Sequence, residues 1–515
     1  MVHLKLLRLK KLVAIFSSIV ESASDWDFLI LVLTLYLFLT LSLFLQWPPP
    51  MADEEMFGDV ARTFGQQGHL TSELVPGMGR GMFWQPPLYF LVLAPVVRLF
   101  GFSLVVLRAF SAVVGALIVV ATYLLGKKSG STPCAKVGSL LLVCNPHFVT
   151  YVKYGRMDGL CVLFILLSFL LAVVALKREK PGTLLLSGIA GSAAVITHPL
   201  GLIAPVSIVL WLLMEKEARK GSIVKSVIWF LAPMLVVLVL WLLYILSDPG
   251  AFITQMAYQL AHKQRGWHGV FLGFFNRYRF LPLVLLTNLL ATVTLWWRWS
   301  RSAPRKPAQL LIAIASVVSI TAIGTRFELP YQVYWVPVAS IAVGMAVVGL
   351  SGRWTGGLRV LALGSVLNGL ALFGYVNYSI HWKERAQPDY QHFVQSVASV
   401  LPPSCTVMNV GYPSIFWGLR EARPEIRYCE RIYFDSSTTR EVITSLDYFI
   451  FTRDFAPAED AVLLDLELRE LDSLSARFGR RLELVGEVGE ERRFVASAKI
   501  YRIRDAKESP DNPRH

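Results

Sequence analysis

Apolar runs long enough to cross a bilayer recur along this chain, and they limit its fold more than any other feature. A helix needs about 20 mostly apolar residues to cross about 30 Å of hydrocarbon. Such runs fall at 27–46, 107–126, 134–152, 159–176, 183–198, 199–214, 224–247, 278–298, 308–324, 329–350 and 356–378. They predict about eleven spans and an α-helical polytopic membrane protein. The runs at 183–198 and 199–214 are short and share the turn at His198-Pro199. Basic clusters fall on every second connection: Lys5 to Lys11, Lys127 to Lys136, Lys177 to Lys180, Lys216 to Lys225, Arg298 to Lys306, and Arg353 with Arg359. Cytoplasmic loops carry that excess of Lys and Arg. The pattern predicts a multi-pass protein of the plasma (inner) membrane, with the N-terminus cytoplasmic and the C-terminus outside. The first 27 residues resemble a signal peptide in outline. They read better as an interfacial basic helix, because cleavage would strip the first span of its basic flank.

The chain has 515 residues, 54% of them hydrophobic and only 17% charged, against roughly 25% charged in soluble domains. Its net charge of +14 invites a nucleic-acid reading. The residues from 386 onward are acidic overall, however, so the positive excess lies in the membrane part and mostly on its inner loops. There it orients spans, and no nucleic-acid partner is expected.

The division reads as a membrane domain over 1–385, a small extracytoplasmic α/β domain over 386–505 and a frayed tail over 506–515. From about 386 the apolar runs shrink to strand length, at 405–410, 447–452 and 493–503, alternating with amphipathic stretches at 390–401 and 461–477. Cys405 and Cys429 lie in this outer part, where a disulfide is permitted; their spacing leaves pairing open. Cys134, Cys144 and Cys161 read as packing residues within spans. Gly77, Gly79 and Gly81 lack a flanking strand and helix, so they read as a flexible loop rather than a phosphate cradle. No metal-ligand spacing such as CxxC or HExxH occurs. A divalent metal is left open, and none is required by the sequence.

The outer connections hold the chemistry. Asp53 and Glu54 follow the first span, and Tyr154-Gly155-Arg156-Met157-Asp158 closes the third. Acids in a first helical turn can simply favour the helix dipole, and Asp158 can simply pair with Arg156. Yet two ionisable groups at the same rim of apolar spans point to a site. Between them lies Gln85-Pro86-Pro87-Leu88, opening an apolar stretch of about 14 residues, too short to span, that reads as a helix at the outer interface. A later outer loop holds His262, Arg265, His268, Arg277 and Arg279, and Arg326 precedes Tyr331, Tyr334 and Pro337. Basic residues outside run against the orientation trend. They suit an anionic group such as phosphate, with lipid headgroups as the plainer partner. The six-residue spacing of His262 and His268 is not diagnostic of metal.

This order of motifs resembles the GT-C membrane glycosyltransferases. It is similar within them to the branch using polyprenyl-phosphate sugars, which includes protein O-mannosyltransferases and lipid A aminoarabinose transferases. The resemblance rests on Asp53-Glu54, Gln85-Pro86-Pro87-Leu88, Leu99-Phe100-Gly101, Arg108 with Ser111, Arg156-Met157-Asp158, and Arg326…Tyr331…Pro337, over roughly residues 25–350. It implies a sugar moved from a polyprenyl-phosphate donor to a lipid, protein or glycan acceptor at the outer face, with membrane lipids around the donor. It implies Asp53 as the catalytic acidic residue, Glu54, Arg156 and Asp158 at the donor or acceptor pocket, and Arg326 and Tyr331 near the donor phosphate. Many relatives carry Lys where this chain has Gln85, so the phosphate partner falls to Arg265, Arg277 or Arg80, with His262 as a weaker candidate. A secondary transporter or lipid flippase is the main alternative. Transporters place coupling charges near the bilayer midplane and often show inverted repeats; here the acids lie at span ends and no repeat is visible. A non-catalytic membrane scaffold would explain the outer domain but not the clustered acids and bases.

Overall fold

The computed structural model describes residues 22–42, 44–45, 48–79, 81–178, 181–214, 222–263, 329–349, 353–378, 390–411, 413–430, 436–453, 468–469, 471–489 and 497–505. The basic N-terminal start, the expected spans at 278–298 and 308–324, residues 461–467 of the amphipathic stretch at 461–477 and the tail lie outside these residues.

The first apolar run forms α1 (Asp25–Leu41), capped by the Ser24 hydroxyl. An amphipathic α2 (Ala52–Gln67) and a short apolar α3 (Leu88–Phe100) follow. At 13 residues, α3 is shorter than the about 20 residues that a span needs. Next come α4 (Leu104–Ser129), α5 (Thr132–Val143), α6 (Pro146–Val152), α7 (Met157–Arg178), α8 (Pro181–Val195), α9 (Ile203–Met214), α10 (Ser222–Ile245) and α11 (Pro249–Lys263). After the undescribed stretch, α12 (Val336–Gly349) and α13 (Arg353–Tyr378) complete the helical part.

Four described helices hold segments long and apolar enough to cross a membrane: Leu104–Ser129, Met157–Ala175, Ile223–Ile245 and Arg359–Tyr378. The expected span at 134–152 is instead broken into α5 and α6. The cause is local: Pro146 cannot extend a helix from upstream, and the Asn145 side chain accepts from the amides of His147 and Phe148 to start a new one. Leu235, Val236, Leu240, Leu242 and Leu243 of α10 are all exposed. A helix that is apolar and outward-facing belongs against lipid tails rather than water. Where helices meet, small residues allow close approach. A Cβ at Gly344 of α12 would lie 2.4 Å from the Cys134 carbonyl of α5.

Charged contacts mark both ends of α4. Lys127 pairs with Asp25, and Lys136 Nζ donates to the Ala23 carbonyl. Arg108, at the other end of α4, is about 28 Å away at 1.5 Å per residue, close to the thickness of a hydrocarbon core.

The C-terminal part begins with α14 (Tyr390–Val400). It then alternates β1 (Thr406–Gly411), α15 (Phe416–Ala422), β2 (Arg427–Cys429), α16 (Ser436–Ser445), β3 (Tyr448–Arg453), β4 (Arg480–Val488) and β5 (Ser497–Asp505). The sheet order is β2-β1-β3-β5-β4, with β1 parallel to β2 and β3, and β5 antiparallel to β3 and β4. Alternation along the strands sends Val407, Ile450 and Ile500 towards Val394 and Val397 of α14. Met408, Phe449 and Ile503 go to the other face with Val442, Ile443 and Leu446 of α16. The first face is continuous with the core of the helical part.

Cys405 and Cys429 are both free thiols. Cys429 stands opposite Met408, three residues along from Cys405, a strand offset of about 10 Å. That exceeds the roughly 7 Å between Cα atoms that a disulfide tolerates.

Candidate active site

Three chain segments converge on Glu54. Its carboxylate accepts from Arg108 Nε (3.0 Å) and Nη2 (2.9 Å), from the Gly155 amide (2.9 Å) and from the Met51 amide (3.1 Å). Both Glu54 and Arg108 are fully buried. A charge out of water is tolerated only when its lone pairs are filled this completely. Arg108 also donates to the Phe44 carbonyl at 3.0 Å. Glu54 therefore ties the start of α2, the first turn of α4 and the turn before α7 into one block. Each of the two Glu54 oxygens, expected at the donor or acceptor pocket, is occupied by two protein donors.

The next residue up the chain behaves differently. Asp53 is 36% exposed and forms an ion pair with Arg156. Arg156 Nε in turn donates to Asp158 Oδ2 at 2.8 Å, and Tyr334 OH donates to Asp158 Oδ1 at 3.1 Å. The two acids, more than a hundred residues apart, are thus joined through one guanidinium. Asp158 sits in the first turn of α7, where backbone N–H groups favour a carboxylate. His198, Tyr331 and Tyr334 form a ring cluster beside it, with centroids 5.8 to 6.4 Å apart. His198 is fixed by its own turn, since Nδ1 accepts from the Leu200 amide at 3.1 Å.

Gln85 is partly buried, and its Oε1 has no hydrogen-bond partner among the described residues. The Tyr89 hydroxyl and both polar atoms of Gln332 are likewise buried and unpartnered there. Such groups in a native structure call for an explanation such as a ligand or an ion. Of the other predicted residues, Tyr331 joins the ring cluster. Arg80, Arg265, Arg277 and Arg326 lie outside the described residues; His262 belongs to α11, and its side chain is outside them too. Sequence reasoning left Tyr334, His198 and Tyr89 out of the site. The Tyr-rich stretch before Pro337 and the His-Pro turn were the available signals for the first two. Among the described residues no group of three or more His, Cys, Asp or Glu side chains is placed to hold a metal.

The glycine-rich loop is not free. Gln255 of α11 donates to the carbonyls of Met78 (3.2 Å) and Gly81 (2.9 Å) and accepts from the Phe83 amide (2.7 Å). The loop expected to be flexible is thus tied to α11 at Met78, Gly81 and Phe83. Gly77 and Gly79 take φ of 75° and 72°, a region that favours glycine.

A second polar cluster joins the C-terminal sheet to α2. Glu55 accepts from Ser414 Oγ at 2.6 Å and from Tyr428 OH at 3.1 Å, and Tyr428 OH also lies 3.1 Å from Glu430 Oε1. The Ser414 amide donates to the Pro50 carbonyl (2.9 Å), and the Glu430 amide to the Leu74 carbonyl (2.7 Å). Burial first, and then the Glu430 charge, push the Glu55 pKa well above the ordinary carboxylate value.

Similar arrangements are known. ArnT from Cupriavidus metallidurans, solved with undecaprenyl phosphate bound, matches 93% of this chain and 98% of its own, with 14% identity and a TM-score of 0.54. The Archaeoglobus fulgidus oligosaccharyltransferase in its apo form matches 85% of this chain and 70% of its own, with 11% identity and a TM-score of 0.56. The chain has the GT-C fold. The fold agrees with the four described helices that are long and apolar enough to cross a membrane. Residues 84–245 also match the family described as dolichyl-phosphate-mannose-protein mannosyltransferase, a stretch that holds Gln85, Arg108, Arg156, Asp158 and His198. An uncharacterised protein of Aquifex aeolicus (strain VF5) is 29% identical over 172 residues. That match spans about a third of either chain.

Proposed function

We propose that this protein is an inverting glycosyltransferase acting at the outer face of the membrane. It moves a sugar from a polyprenyl-phosphate donor to an acceptor hydroxyl or phosphate on a lipid, protein or glycan. One observation carries the reading: Asp53 is solvent-accessible while tied through Arg156 to the buried Asp158, at the rim of apolar helices. The family match over residues 84–245 and the GT-C fold support it.

The acceptor oxygen attacks the sugar C1, and the bond from C1 to the phosphate oxygen breaks. The acceptor proton passes to the Asp53 carboxylate, and polyprenyl phosphate leaves with the bonding electrons. Base and leaving group on opposite faces of C1 make this one displacement with inversion. Arg156 keeps Asp53 oriented, and Asp158 holds Arg156. Arg265, Arg277 and Arg326 are the proposed cations for the leaving phosphate, with His262 beside them. Tyr331 and Gln85 line the donor side. Glu54 acts through Arg108 and the Gly155 amide as a positioning residue. No step requires a metal or cofactor. In this reading the N-terminus is cytoplasmic and residues 386–505 form an extracytoplasmic domain over the site. The test is transfer from a panel of labelled polyprenyl-phosphate sugars in purified membranes. Transfer from at least one of them, lost in Asp53→Asn, supports the reading; no transfer from any of them contradicts it.

A further inference from the structure

A pocket of about 250 Å³ lies where α2 meets the C-terminal sheet. It is smaller than the 300–1,000 Å³ of sites for drug-sized ligands, a scale suited to one sugar ring or one charged group. The acids in its wall are already engaged. Asp59 accepts from Ser72 Oγ, the Glu73 and Leu74 amides and Arg62 Nε, at 2.7 to 3.1 Å. Arg62 in turn is held between Asp59 and Glu73.

Arg420, on the facing helix α15, is different. Its guanidinium lies 4.7 Å from the Phe102 ring centroid and 6.0 Å from that of Phe416. Among the described residues no carboxylate is within ion-pair distance of it. Desolvation against its surroundings, and then the Arg62 charge, hold its pKa below the usual arginine range. Arg420 is exposed at this wall, and of the two charges that act on it Arg62 outweighs Asp59; a guanidinium so placed against two rings is a partner for an oxyanion. The pocket is also tied to the acid that does the chemistry. Arg62 and Asp53 lie on the same helix, about 13 Å apart at 1.5 Å per residue. Tyr428, another wall residue, bonds Glu55, two residues from Asp53.

We propose that this pocket is an acceptor subsite for an anionic group, a phosphate or a carboxylate, held by Arg420 against the Phe102 and Phe416 rings. As a statement about acceptors it rests on the glycosyl-transfer reading, but its test involves neither donor nor turnover. Glucose 1-phosphate, glucuronate and glucose are titrated by calorimetry into the full-length protein purified in detergent, as wild type, Arg420→Gln and Arg420→Lys. At least one anionic sugar is expected to bind at least tenfold more tightly than glucose. Arg420→Gln is expected to remove that tenfold, and Arg420→Lys, which keeps the charge, to bind more tightly than Arg420→Gln. The preferred probe identifies phosphate or carboxylate as the source. Binding of the anionic sugars no tighter than glucose, wild-type affinity in Arg420→Gln, or equal affinity of the Gln and Lys variants would each overturn the proposal. Since Asp53 takes no part in this binding, a failure of the transfer reading shows separately, as transfer unaffected by Asp53→Asn.

Discussion

The Glu54 carboxylate lies 2.9 Å from the Arg108 guanidinium with both side chains fully out of solvent, while its neighbour Asp53 remains accessible. Two adjacent acids thus have opposite physical situations. One is consumed in holding helices together, and the other is presented at the surface they create.

Removing one partner of a buried ion pair leaves an uncompensated charge, at a cost of about 3–5 kcal/mol. Glu54→Gln is therefore expected to lower thermal stability sharply and to reduce the yield of folded protein, measured by melting in detergent. Asp53→Asn is expected to melt like wild type. Equal melting of Glu54→Gln and wild type would contradict the positioning role.

Tyr334→Phe removes one hydrogen bond from Asp158 and leaves the ring in place. A bond to a charged group is worth about 1.5–3 kcal/mol, which corresponds to a roughly 10- to 100-fold loss. The expected readout is a fall of that order in kcat/KM, with a smaller fall in melting temperature than in Glu54→Gln. An unchanged kcat/KM would show that Asp158 needs only Arg156.

Glu55 gives a pH dependence with a definite sign. Its folded-state pKa is raised, so the folded state holds the proton more tightly than the unfolded chain. The stabilisation is complete below the ordinary carboxylate pKa of about 4.3. It is lost as pH rises from there through the raised folded value. Glu430, Ser414 and Tyr428 are the groups that act on Glu55. Melting temperature measured against pH is expected to fall more steeply over that window in wild type than in Glu55→Gln. Parallel profiles would contradict it.

Gln255→Leu removes three hydrogen bonds from the loop around Met78 to Phe83. Hydrogen exchange of the Phe83 amide is expected to rise at least tenfold, because a buried donor left unpaired costs about 1–3 kcal/mol. Unchanged protection would show that the loop is held by packing alone.

Much of this was legible in the sequence. The apolar runs gave most described helices, since burial in lipid leaves a length signal that needs no knowledge of neighbours. The strands β1, β3 and β5 were readable because buried strands leave short apolar runs at 405–410, 447–452 and 493–503. β4, charged and half-exposed, and the three-residue β2 carry no such signal. At the site, Asp53, Arg156 and Asp158 stood out as charges at the ends of apolar runs. The roles of Glu54 and Arg108 did not, because their pairing crosses 54 positions of sequence. Tyr334 and Asp158 meet across 176, and Glu55 and Tyr428 across 373. Contacts of that kind are made by the packing of helices, which a local pattern does not encode.

The account stands most directly on Asp53. Transfer of labelled sugar from polyprenyl phosphate is measured with wild type and Asp53→Asn, both purified and matched for melting temperature. The account predicts that the variant binds donor as wild type does and loses at least a hundredfold in transfer rate, the scale of general-base catalysis. A folded Asp53→Asn protein that transfers sugar at the wild-type rate would contradict it.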